Sequence, residues 1–110
     1  MIEETLAKIE AAIQRIGAAD IDKKADLLRL LGALKKEVEA LARTHAEQAR
    51  SIAGFTEVAA HEASRREKAP ELHQLSLDGL ASSVKGFEAS HPALVEAMDE
   101  LCRLLASIGI

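Results

Sequence analysis

Residues 21–68 read IDKKADLLRLLGALKKEVEALARTHAEQARSIAGFTEVAAHEASRREK. In the first half Leu27, Leu31, Leu34, Val38 and Leu41 recur at spacings of four, three, four and three, with Leu28 and Leu30 widening the same face. That is the period of one side of an α-helix. In the second half the large residues stop and small ones continue the spacing: Ala42, Ala46, Ala49, Ala53, Thr56, Ala60 and Ala63. The pattern predicts one long central helix over about 21–68, on the order of 70 Å in length. Gly54 is a point where it can bend, since a helix tolerates an internal glycine at about 1 kcal/mol. Ala69-Pro70 ends it, because the residue before a proline is pushed out of helical geometry.

Upstream, Ile2, Leu6, Ile9, Ile13 and Ile16 mark the apolar stripe of a helix over about 2–16 that stops near Gly17. Asp20 offers a capping oxygen to the next helix and Asp22 complements its positive end. So short a connection makes the first two helices antiparallel neighbours. The first covers roughly 22 Å of its partner, so the small-residue stripe beyond Leu41 lacks cover within the chain. Small residues repeated on one face let a second backbone approach closely, and Ile52, Phe55 and Val58 can flank such a contact. The plainer alternative is alanine used as a good helix former on an exposed face.

Downstream, Leu77, Leu80, Val84 and Phe87 fall in register on a helix over about 71–89, with Gly79 as its weak spot. Ser90-His91-Pro92 breaks it, and Pro92 suits the first turn of a last helix over 92–108, carrying Leu94, Met98, Leu101, Leu105 and Ile108. Gly109 would fold Ile110 back on that helix. Residues are 48% hydrophobic but only 2% aromatic, the composition of aliphatic helix packing. The expectation is a single all-α domain over 1–110: a helical bundle or antiparallel coiled-coil hairpin, with one long central helix and three shorter ones.

The segment SVKGFEASHPALVEAMDELCRLLASIGI, residues 83–110, resembles the C-terminal half of a small bacterial family catalogued as domain of unknown function 4404. FEASHP at Phe87–Pro92, the leucine stripe after it and the final Ile108-Gly109-Ile110 carry the resemblance, which extends loosely to the N-terminal helical pair. It implies an all-helical protein without an assigned activity and hands over no catalytic residues.

Most chemistries find no foothold. The net charge is −4, and the one basic cluster, Arg65, Arg66 and Lys68, is interleaved with Glu62, Glu67 and Glu71. A nucleic-acid backbone needs a basic face, so none is expected as partner. No apolar run reaches the ~20 residues that span a bilayer, and the acidic start MIEETLAKIE is unlike a secretion signal; the expected location is the cytoplasm. Cys102 is the sole cysteine, which excludes an internal disulfide.

Glu88-x-x-His91 has a di-iron spacing, but such sites need the motif twice and Pro92 takes His91 out of the helix. Glu57 and His61, one turn apart, read as a modest ion pair before a metal site. His45 is either a register-setting polar seam residue or simply exposed. No phosphate loop, serine elbow or paired-carboxylate motif occurs, so neither enzymatic activity nor a cofactor is expected.

The expected role is a non-enzymatic structural or adaptor module acting by helix–helix self-association, a dimer before higher oligomers. The expected interface is Ala42, Ala46, Ala49, Ile52, Ala53, Thr56, Ala60 and Ala63. A monomeric four-helix bundle binding a client peptide or apolar ligand is the alternative, with a metal-binding helical protein behind it.

Overall fold

The computed structural model describes residues 2–17 and 21–108. They form five helices with no strand: α1 (Ile2–Gln14), α2 (Ile21–Ala42), α3 (Ala46–Ser64), α4 (Pro70–Ser83) and α5 (Pro92–Ile108). The cap expected from Asp20 and the closure at Gly109 and Ile110 fall outside the described residues.

The expected 21–68 helix is two helices, and the break lies at 43–45, not at Gly54, which sits unbroken inside α3. No glycine or proline marks the break. At the end of α2 the Leu41 carbonyl accepts three bonds, from the amides of His45 (2.7 Å) and Thr44 (3.1 Å) and from the Thr44 hydroxyl (3.4 Å). Thr44 thereby supplies a local alternative to the helical ladder. Tertiary burial supplies the driving force: a straight rod of about 70 Å does not fit a molecule whose longest extent is 38 Å. Turning at 43–45 lays the small stripe of α3 back onto the molecule's own core.

α1 ends at Gln14, two residues before the expected boundary, in a tightened turn where Arg15 N–H reaches Ala12 O and Ile16 N–H reaches Ile13 O. The helix expected over 71–89 ends at Ser83, because the chain turns at Gly86 with φ +95°, a conformation open to glycine and costly for other residues. Pro70 opens α4 and Pro92 opens α5, each where a missing amide costs nothing. The expected 92–108 bounds of the last helix are those of α5.

α3 is the hub. It packs against all four other helices, with α1 on one side and α4 on the other, while α2 and α5 pair in a second layer beneath. The α1 and α2 stripes read from the sequence meet here: Leu6, Ile9, Ile13, Leu27, Leu31, Leu34, Val38 and Leu41 are all buried, as are Leu94, Met98, Leu101 and Leu105 of α5. Each such side chain contributes roughly 1.5–3 kcal/mol by leaving water. α3 supplies a smooth floor to that core, which lets α1, α4 and the second layer all approach one helix.

Candidate functional site

The residues expected to face a second copy face the chain's own interior. Ala49, Ile52, Ala53, Thr56, Ala60 and Ala63 are buried beneath the neighbouring helices, Ala42 is half-buried, and only Ala46 is exposed. This corrects the premise that the stripe lacks intrachain cover. Two short helices, not one, flank it. Thr56 donates its hydroxyl to the Ile52 carbonyl at 2.7 Å, so even its polar atom is satisfied locally.

The opposite side of α3 is the one left open. Phe55 (41% exposed) and Val58 (47%) stand on it, and α4 continues the apolar surface with Leu72 (50%) and Leu75 (64%). Phe55 lies over Gly79 of α4: a methyl group built on Gly79 would come within 2.6 Å of Phe55 Cδ1. Glycine at 79 is what lets the ring lie across the α3–α4 junction. Val58 lines the groove on the other flank, between α3 and α1, together with Lys8, Ala11, Arg15, Glu57 and His61. Several large apolar groups gathered on one face mark an association or ligand surface more often than singly scattered ones do.

Charges stand on both flanks of this face, with Glu57 of α3 beside the cations of the α1 groove. Lys8 and Arg15 lie exposed on α1, Glu71 and Asp78 lie exposed on α4, and each pair is separated by seven residues. Asp78 accepts a hydrogen bond from Gln74 Nε2 at 2.9 Å. Among the described residues the side chains of Lys8, Arg15 and Glu71 have no hydrogen-bond or ion-pair partner. The expected Glu57–His61 pair does not form either: His61 Nε2 sits 4.0 Å from Glu62 Oε2 instead, and buried Glu62 takes a 2.9 Å bond from Arg65.

A second constellation, unforeseen in the sequence, joins the α2–α3 and α4–α5 connections. The rings of His45, Phe87 and His91 meet edge to face, with centroids 5.7 Å (His45–Phe87), 5.4 Å (Phe87–His91) and 6.1 Å (His45–His91) apart. His45 Nδ1 is 2.8 Å from Thr44 Oγ1 and His91 Nδ1 is 2.9 Å from Ser90 Oγ. The Thr44 hydroxyl also lies 3.4 Å from the Leu41 carbonyl, so one side chain bridges the end of α2 and the His45 ring. FEASHP thus supplies two of three rings in an interlock between turns. No group of three or more His, Cys, Asp or Glu able to hold a metal occurs among the described residues.

Cys102 is half-buried, and burial, with Asp99 adding a smaller push, raises its thiol to about 11. No described helix is long and apolar enough to cross a membrane. The family model described as "Domain of unknown function (DUF4404)" matches residues 29–110. No curated protein and no solved structure matches the chain.

Proposed function

The chain belongs to the DUF4404 family, and from that premise we propose that it is a non-enzymatic structural or adaptor module that pairs with a second copy of itself through the outer face of α1, α3 and α4. The observation that carries this reading is the exposure of Phe55, Val58, Leu72 and Leu75 on one face of a chain with few aromatic residues to spare. Large aliphatic and aromatic groups left in water on adjacent helices are stabilised when a partner removes them from it. In this reading the protein acts in the cytoplasm, consistent with a lone cysteine and a mixed-charge surface.

Light scattering at tens of micromolar tests it. The wild type is expected at about twice the chain mass of 11.8 kDa, and Val58→Glu, which forces a carboxylate into the contact, at the mass of one chain. Wild type and variant both scattering as single chains would refute self-association and leave the groove beside Val58 to a client peptide or apolar ligand.

A further inference from the structure

The self-association reading leaves open how two copies meet, and the charges on the face answer it. We propose that the pair is related by a two-fold axis running along α3, so that Lys8 and Arg15 of one copy stand against Asp78 and Glu71 of the other, twice over.

The helix directions fix the heights of these charges along the bundle. α1 runs parallel to α3: Ile2 and Glu3 border Ala46, Glu47 and Arg50, while Lys8 to Arg15 border Glu57 to His61. α4 runs antiparallel to α3, joined by residues 65–69 and with Gly79 beneath Phe55. Stepping one turn at a time from that contact brings Leu75 level with Val58 and Glu71 level with Glu62. Lys8 and Asp78 therefore share one height, near Phe55, and Arg15 and Glu71 share another, near His61. Seven residues separate the members of each pair, about 10 Å along a helix, so the two rows match in length as well as in level.

α1 and α4 lie on opposite flanks of α3. A two-fold axis along α3 exchanges the flanks and preserves height, which sets the cationic row of each copy on the acidic row of the other. A two-fold axis across α3 preserves the flanks and inverts height, which would set Lys8 against Arg15 and Glu71 against Asp78. Like charges facing across a contact select against that orientation. In the favoured pairing Val58 meets its own copy at the centre, and Gly54, one turn away with open space where a Cβ would stand, lets the two α3 backbones draw close. Phe55, Leu72 and Leu75 fill the strip between the centre and the charged rows.

Charge reversal tests the arrangement. All four charged residues are exposed, so K8E/R15E and E71K/D78K are expected to fold with wild-type helicity by circular dichroism. In sedimentation equilibrium at low salt each double variant alone is expected to self-associate at least about tenfold more weakly than the wild type. The two mixed in equal amounts are expected to pair within a few-fold of wild type, because both contacts are then restored. A wild type that pairs while either double variant pairs as tightly, or a mixture that stays dissociated, overturns this arrangement and leaves self-association standing. A wild type that never pairs overturns both.

Discussion

His73 Nε2 on α4 sits 2.9 Å from the carbonyl oxygen of Leu105, near the end of α5. A carbonyl only accepts, so Nε2 is the donor, while Nδ1 is buried with no hydrogen-bond partner among the described residues. The bond joins elements 32 residues apart and satisfies a donor in a side chain that is 94% out of solvent. α4 leaves Leu72 and Leu75 in water, and this link and the packing of Leu77 and Leu80 fasten its other side to the core. His73→Ala removes the bond and leaves a cavity, at an expected cost of about 2–3 kcal/mol. Urea denaturation checks this, and an unchanged midpoint would show that the bond contributes nothing net.

Two glycines should respond to the same substitution with opposite sign. Gly32 lies mid-helix in α2 with nothing within 4 Å of where a Cβ would go, so Gly32→Ala gains up to about 1 kcal/mol of helix propensity. Gly86 holds φ +95° in the α4–α5 connection, and Gly86→Ala is strained there by about 1–2 kcal/mol. Thermal midpoints that rise for Gly32→Ala and fall for Gly86→Ala are the expected pattern. The reverse order would contradict the backbone assignment at both positions.

These contrasts indicate what the sequence could and could not disclose. The aliphatic stripes of α1, α2 and α5 were legible because a four-three spacing of large residues has one economical solution, burial on one side, and every residue of the Leu27–Leu41 stripe is in the core. The break at Arg43-Thr44-His45 was not, since no residue there is a helix breaker and the turn forms because folding α3 back buries its alanines. The small stripe was legible as a close-packing face but not as to whose helix packs on it; the answer lies in α1 and α4 flanking α3. Phe55 and Val58 were visible as flanks. Leu72 and Leu75 were missed, although both fall out of phase with the Leu77–Leu80–Val84 stripe, which is the signal of a leucine left outside.

Cys102 supplies a pH-dependent observable remote from the proposed contact. Its thiol is pushed up to about 11 by burial, with Asp99 adding to the effect. A raised folded-state value means that the protonated thiol favours the native state fully below the unfolded value of 9.0. That contribution is lost as pH rises from there through about 11. At pH 8 the thiolate fraction is roughly a hundredfold lower than in the unfolded chain. Alkylation by iodoacetamide should be slower in that proportion and accelerate on adding urea; equal rates in both states would contradict the burial.

The ring interlock makes a separate prediction, because it ties together two connections instead of two helices. Phe87 touches both imidazoles, and edge-to-face ring pairs contribute about 0.5–1.5 kcal/mol beyond area burial. Phe87→Leu keeps most of the apolar volume and loses the ring geometry, so a loss of about 1 kcal/mol is expected, together with faster amide exchange at 84–91. Exchange unchanged in that segment would mean that the turn is held without the rings, by the 2.9 Å bond from Gly86 N–H to the Glu88 carboxylate and by the backbone bonds from Phe87 N–H to Val84 O and from His91 N–H to Phe87 O.

If pairing buries Val58 and its neighbours, unfolding and dissociation are linked, and the melting midpoint must depend on protein concentration. Each tenfold increase above the dissociation constant adds about 1.4 kcal/mol per mole of dimer to the free energy of unfolding, which for a chain of this size raises the midpoint by a few degrees. Wild type measured from about 1 to 100 µM is therefore expected to melt progressively higher, and Val58→Glu at one temperature throughout, since a lone chain has no mass-action term. The intrinsic fold should be indifferent to that substitution, because Val58 is 47% exposed and the buried side of α3 is carried by Ala59 and Ala60 beside it. A wild-type midpoint independent of concentration over that range would separate the apolar face from self-association and point to a different occupant.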